Sequence, residues 1–398
     1  MTDWRELESK YIMQVTRRVP LTLVRGLGCR VWDDEGKEYL DFVGGWASTS
    51  LGHSHPALVE AITRQAQTLI LASNQFYTVP QVELAKFLVE HSALDRAFFS
   101  NSGAEALEGS VKLARRYGGK HRNGAYEVIS TLNSFHGRTL AMVAATGQAH
   151  YQDPYRPLAP GFVNVPYDDV EAVKAATSEK TIAVLVEPVQ GEGGVIEPAP
   201  DYLKRLRAWC DANGLLLILD EVQTGMGRMG SLFAYQQAGV EPDIMALAKG
   251  LGSGIAIGAF LAKERVASAF EYGDHGSTFG GNALACAAAL AVARTIVDED
   301  IPGQAARKGE HLTKRLRELE DRHPSVSGLR GRGLLQALVF HQEIGQQVLD
   351  GALKRGLLLN RVRPNAIRFM PPLIVTTQEI DRAVEIIDDV LKEIEVAR

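Results

Sequence analysis

Between residues 56 and 294, short apolar runs alternate with stretches whose apolar residues recur every three to four positions. The runs at 97–100, 127–131, 182–187, 215–219, 244–248 and 256–262 each predict a strand. Those at 182–186 and 215–219 contain no polar residue, which predicts strands covered on both faces. Their alternation with helical stretches predicts an α/β domain whose sheet is largely parallel. Helices are expected at 104–117 and, in an alanine-rich run, at 283–293. Residues 1–55 read as an N-terminal segment that packs with a smaller domain: a polar helix, then two strand-like runs within 30–43 about a turn at 33–36. Residues 295–398 read as helix, strand pair, helix, strand, helix, and predict that smaller α+β domain. A chain of 398 residues is expected to divide in this way, with 56–294 as the large domain.

Composition removes several classes of function. Lys and Arg total 43 against 48 Asp and Glu, a net charge of −5 without long runs of one sign, which argues against nucleic acid or an anionic membrane as partner. No stretch reaches the ~18 apolar residues of a membrane span, and the start of the chain lacks the apolar core of a secretory leader. Cys29, Cys210 and Cys286 are too few and too scattered for a disulfide framework or a zinc cluster. Buried thiols in a reducing cytoplasm are the expectation. His53, His55 and His136 fit no metal-ligand spacing, so structural roles and no metal are expected of them.

Candidate chemistry gathers where strands end, because open α/β sheets bind ligands beyond the carboxyl ends of their strands. Asp220 to Gly225 follows the run at 215–219, Lys249 and Gly250 follow the run at 244–248, and Ser100 to Glu105 follows the run at 97–99. An Asp and a Lys at neighbouring strand ends also fit a structural ion pair. The combination points further, because a pyridoxal phosphate enzyme needs a lysine imine, an acid against the pyridine nitrogen, a phosphate cradle and packing on the ring. Lys249 supplies the first and Asp220 the second. Ser102, Gly103 and Ala104 open a helix whose unpaired N–H groups and dipole suit a phosphate. The same spacing makes Ser102 an N-cap with Glu105 three residues on, and the two roles are compatible.

These residues belong to longer motifs. Phe99 to Ala106, Phe135 to Thr139, Glu187 to Gly194, Leu219 to Gly225 and Gly276 to Asn282 resemble those of the class III aminotransferases. The likeness extends from Val31-Trp32-Asp33 to Ile367-Arg368-Phe369. It is similar above all to the acetylornithine-type branch, through Phe76-Tyr77 and Pro80 to Ala85. The resemblance implies the aspartate aminotransferase-like fold type I, pyridoxal 5'-phosphate as cofactor, and a homodimer with its active sites at the subunit interface. It also implies Lys249 as the Schiff-base lysine, Asp220 against the pyridine nitrogen, Gln223 near the ring hydroxyl, Phe135 on the ring face, and Gly103 and Ala104 at the phosphate. Thr278 would reach that phosphate from the second subunit.

For substrate, the resemblance implies Arg138 on the α-carboxylate of an acylated diamino acid, with Ser277 nearby. Arg368 would take the α-carboxylate of glutamate or 2-oxoglutarate, and Glu192 would cover Arg368 when the other substrate is bound. Glycines on both sides are expected to give Glu192 its freedom to move. Trp46 departs from the pattern: acetylornithine-type enzymes usually carry a small or aliphatic residue there, and an indole would narrow the pocket. The expected reaction is transamination between N-acetylornithine and 2-oxoglutarate, in arginine biosynthesis. Ornithine, 4-aminobutyrate, succinyl-diaminopimelate or a carrier-linked lysine remain open as donors. A non-catalytic binding protein would not need both Lys249 and Asp220, and a nucleotide-binding oxidoreductase would need a Gly-x-Gly-x-x-Gly turn after its first strand, which is absent.

Overall fold

Three sheets, each assembled from different parts of the sequence, organise residues 3–397, which are those the computed structural model describes. The chain begins with a helix, Trp4–Tyr11, capped by the Asp3 carboxylate and burying none of its residues. Then come three antiparallel strands, β1 (Leu23–Leu27), β2 (Arg30–Asp33) and β3 (Glu38–Asp41). The β2–β3 turn is set by Asp33, whose Oδ1 accepts the N–H groups of Glu35 and Lys37 at 3.1 and 2.8 Å.

The large sheet contains β4 (Arg96–Ser100), β5 (Glu127–Thr131), β6 (Phe162–Val165), β7 (Thr181–Val186), β8 (Leu216–Asp220), β9 (Ile244–Leu247) and β10 (Gly258–Ala262). Its spatial order is β4-β10-β9-β8-β7-β5-β6. Neighbours from β9 to β6 pair in parallel, whereas β10 runs antiparallel to both β9 and β4. Every residue of β7, β8, β9 and β10 is buried. Successive residues serve opposite faces: Leu217 and Leu219 join one apolar cluster, Leu216 and Ile218 the other. This double covering is the reason β7 and β8 lack the alternating polar residues of a half-exposed strand.

The last third of the chain supplies β11 (Val326–Arg332), β12 (Leu335–Phe340), β13 (Leu357–Leu358), β14 (Asn360–Arg363) and β15 (Ala366–Phe369). Four of these form an antiparallel sheet in the order β11-β12-β15-β14, while β13 leaves it to pair in parallel with β3. Helices Ile301–Arg322, Gly345–Lys354 and Thr377–Val396 accompany this sheet, the last closed by a capping box between Thr376 and Glu379.

The architecture is the expected fold type I: a large, mostly parallel sheet and a smaller antiparallel one. Particular elements differ from expectation. β1 and β6 were not foreseen, and the run at 256–262 forms a strand only from Gly258. The single strand expected between the last two helices is three, β13, β14 and β15. No helix among the described residues is long and apolar enough to cross a membrane.

Candidate active site

The carboxyl ends of β4, β5, β7, β8 and β9 lie at one edge of the large sheet, and the loops that leave them enclose a cavity of about 460 Å³. That volume lies in the range of small-molecule sites. Asn133, Val195, Met226, Lys249 and Ser253, all on these loops, hold left-handed φ angles. Such conformations cost on the order of 1 kcal/mol each outside glycine, and they concentrate where the chain must aim groups at a ligand.

Each strand end contributes a recognisable part. After β4, Ser102 caps the helix Gly103–His121, its hydroxyl accepting from Glu105 N at 3.2 Å. The first-turn N–H groups of Gly103 and Ala104 are left for the cavity that both residues line. A β-carbon on Gly103 would meet Val222 Cγ1 at 2.9 Å, so the helix start can sit this close to the loop after β8 only with glycine.

At the end of β8, Asp220 is buried, with its Oδ2 2.8 Å from His136 Nδ1 and its Oδ1 accepting Val222 N at 3.0 Å. A carboxylate only accepts, so Nδ1 carries a proton in this contact, while Nε2 finds no partner among the described residues. Lys249 follows β9 directly, in a 3-10 turn with φ 41°. Burial is the largest influence on its amine and, with Arg368, pushes the pKa below the ordinary lysine value, against the opposing pull of Glu192, Asp220 and Glu187.

Beyond β7 lies an ion pair. Arg368, fully buried on β15, meets Glu192 at 2.7 Å between Nη1 and Oε1. Gln223 bridges the two, donating to Glu192 Oε1 at 3.2 Å and accepting from Arg368 Nη1 at 3.2 Å. Arg368 Nε also donates to Asn360 Oδ1 at 3.2 Å, while Nη2 finds no partner among the described residues. Burial raises the Glu192 pKa, but Arg368, Lys249 and the Gln223 amide outweigh it and hold the carboxyl below its usual range. Glu187, also buried, accepts the N–H groups of Phe135 and Gly191 at 3.1 and 3.3 Å. Burial and then the nearby Asp220 push its carboxyl well above the usual range.

The motif of the class III aminotransferases matches residues 11–391. An acetylornithine aminotransferase of Caldanaerobacter subterraneus subsp. tengcongensis is 50% identical over 388 residues, covering 97% of this chain and 98% of the relative. The chain belongs to the class III aminotransferases. Among solved structures, the ornithine aminotransferase of Toxoplasma gondii superposes with a TM-score of 0.96 at 36% identity, covering 100% of this chain and 96% of the other. The acetylornithine aminotransferase of Elizabethkingia anophelis gives 0.88 at 34% identity, with 98% of both chains covered. The enzyme is therefore a pyridoxal phosphate-dependent aminotransferase.

The residues present fit that cofactor. Unpaired helix-start N–H groups, a buried aspartate and a partly buried lysine whose amine is desolvated line one cavity of suitable volume. Of the positions singled out in the sequence, Ser102, Gly103, Ala104, Phe135, Arg138, Glu192, Asp220, Gln223 and Lys249 line it, and Arg368 stands behind Glu192. Three others do not line it. Ser277 uses its hydroxyl to accept from Gly280 N at 2.9 Å, Thr278 is exposed, and Trp46 is half exposed on a left-handed turn, with Ser48 forming the wall nearby.

The glycines beside Glu192 are also required by packing. A β-carbon on Gly191 would lie 1.6 Å from Gln223 Oε1, and one on Gly193 would lie 2.8 Å from Gln190 Oε1. Sequence reasoning also passed over Glu187 and Asn360. Glu187 stood inside a quoted motif and could have been noticed as an acid directly after a wholly apolar strand; Asn360 carries no such signal.

Proposed function

We propose that this aminotransferase moves the terminal amine of an acylated diamino acid, N-acetylornithine, to 2-oxoglutarate, giving the semialdehyde and glutamate, and so serves arginine biosynthesis. The observation that carries this reading is the contrast between two arginines. Arg368 is covered by Glu192, whereas Arg138 lines the cavity with no acidic partner among the described residues. One carboxylate position is thus open and the other guarded, as suits a pocket that must accept a donor with one free carboxylate and then a dicarboxylate. The names of the relatives support the donor.

Bound at this site, pyridoxal phosphate supplies the aldehyde that takes up the amino group and the ring that draws in electrons from the substrate carbon. Lys249 would hold it through Nζ, and the lowered pKa keeps more of that amine neutral and nucleophilic near neutrality. Once released, the same Nζ would take a proton from the carbon bearing the transferred amine and return it to the neighbouring position. Asp220, oriented by His136 and Val222 N, would hold a proton at the ring nitrogen. Gly103 and Ala104 would bind the phosphate by their N–H groups, and Phe135 would cover the ring. Arg138 would clamp the donor carboxylate with two parallel bonds. Glu192 would leave Arg368 when 2-oxoglutarate brings its α-carboxylate.

We further propose a cytoplasmic homodimer in which Thr278 of one subunit completes the phosphate site of the other, Ser277 approaches substrate, and Trp46 shapes the entrance. Exposed Phe76, Tyr77 and Phe279 support the dimer, and three buried free cysteines suit a reducing compartment. The division at about residues 55 and 294 is proposed on the same footing, supported by the pairing of β13 with β3.

The test is a single half-reaction: N-acetylornithine is added without acceptor and the absorbance of the lysine-bound cofactor is followed. Loss of that band in the wild type, none in Lys249→Ala and much slower loss in Arg138→Ala is the expected result. Conversion of ornithine or 4-aminobutyrate but not of the acetylated compound would refute the donor and direct attention to Trp46.

A further inference from the structure

Aromatic rings hold Arg138 in place. Its Cζ lies 3.9 Å from the centre of the Tyr151 ring and 5.5 Å from that of Phe135. The two rings meet edge to face, 5.8 Å apart at 74°. Tyr151 is itself fixed by its neighbour in the helix Ala149–Gln152. Gln152 is buried, and its Nε2 donates to Thr146 O at 2.9 Å and to Asn164 Oδ1 at 3.0 Å, which anchors this turn to the structure around β5 and β6.

A guanidinium on an aromatic face is attracted by the ring quadrupole, and the contact engages its plane. The N–H groups along its edge stay free, and those are the groups that grip a carboxylate in bidentate fashion. An acid at the same place would also hold Arg138, but it would compete with the substrate, as Glu192 does at Arg368. An aromatic support avoids that competition.

We propose that Tyr151 is a positioning residue for donor recognition: its ring fixes Arg138 so that the guanidinium edge meets the donor carboxylate without an acid to displace. The inference rests on the assignment of Arg138 to the donor carboxylate. The alternative is that Tyr151 only fills space beside Phe135, in which case its loss would be felt by the cofactor.

The experiment compares Tyr151→Phe, Tyr151→Leu, Arg138→Ala and the double variant Arg138→Ala/Tyr151→Leu as holoenzymes. The KM for N-acetylornithine, kcat, the Kd for pyridoxal phosphate and the calorimetric Kd for N-acetylnorvaline, which keeps the carboxylate and lacks the reacting amine, are measured. Tyr151→Phe is expected to behave as wild type. In Tyr151→Leu, the KM for the donor and the Kd for N-acetylnorvaline should both rise roughly 3- to 30-fold, with kcat and cofactor affinity little changed. The double variant should lose no more than Arg138→Ala. Unchanged donor and N-acetylnorvaline binding in Tyr151→Leu, or cofactor affinity falling as far as donor binding, would overturn the proposal. Should Tyr151→Leu not fold, as judged by its thermal midpoint, Tyr151→Met takes its place. If Arg138→Ala itself binds N-acetylnorvaline normally, the underlying assignment fails, whatever Tyr151 does.

Discussion

A β-carbon at Gly191 would stand 1.6 Å from Gln223 Oε1, so even alanine there displaces the amide that bridges Glu192 and Arg368. Gly191→Ala is therefore expected to raise the KM for 2-oxoglutarate while sparing the donor half-reaction, a split that steady-state and single-turnover kinetics separate. Removing the acid acts in the opposite direction. Glu192→Ala leaves the buried Arg368 cation without its counter-charge, so a dicarboxylate that supplies one should bind more tightly, and glutamate should compete with the acetylated donor. An unchanged inhibition constant for glutarate in Glu192→Ala would count against the guarded-arginine reading. The polar residues of this site were legible because Asp220, Lys249 and Glu192 stand beside glycines or at the ends of apolar runs, where a packing role alone explains them poorly. The reason for Gly191 was hidden, because its crowding comes from Gln223, beyond an intervening helix and strand.

The loop after β8 shows how an element's stability is tied to protonation. Glu221 is buried and accepts the N–H groups of Ala234 and Tyr235, both at 2.7 Å, at the start of the helix Ala234–Ala238. Burial nonetheless pushes its carboxyl up to about 7 from 4.5. Between those two values the folded state holds a proton that the unfolded chain has released. Its contribution to stability accordingly falls as pH rises from about 4.5 to 7, by an amount on the order of 3 kcal/mol, and is constant above. Glu221→Gln should flatten that part of a denaturant-midpoint profile measured against pH. An unaltered slope would show that the carboxyl titrates normally. Strands were legible by the same logic of burial: β7 and β8 are apolar because both faces are covered. β13 is two residues long and exists as a strand only because β3 is beside it, which no local pattern records. The reversal of β10 escaped for a related reason, since a fully buried strand reads the same in either direction.

At the level of the whole molecule, the strongest test of the dimer is complementation. Lys249→Ala and Thr278→Ala are each expected to be poorly active alone. Mixed and allowed to exchange subunits, they should recover about a quarter of wild-type activity, because half the dimers are mixed and each has one intact site. No recovery would place Thr278 in the service of its own subunit. Within one chain, Arg228 joins distant parts: its buried guanidinium donates to the carbonyls of Leu334, just before β12, and Pro371, just after the strand β15 that carries Arg368, with no acid in contact among the described residues. Burial lowers its pKa to about 9. Arg228→Met leaves both carbonyls without a donor and should cost about 2–5 kcal/mol in denaturant unfolding.

The pairing of β3 with β13 also has a temporal side. Lys37 Nζ donates to Lys354 O across 317 residues of chain, beside the strands that join there. A ribosome adding about 5–20 residues per second needs roughly 15 to 60 s to cover that interval. For all that time β3 lacks the strand that pairs with its second edge in the finished protein. Newly synthesised chains of this enzyme should thus pass through a long-lived stage with an open leading edge, the stage at which a chaperone has most to hold.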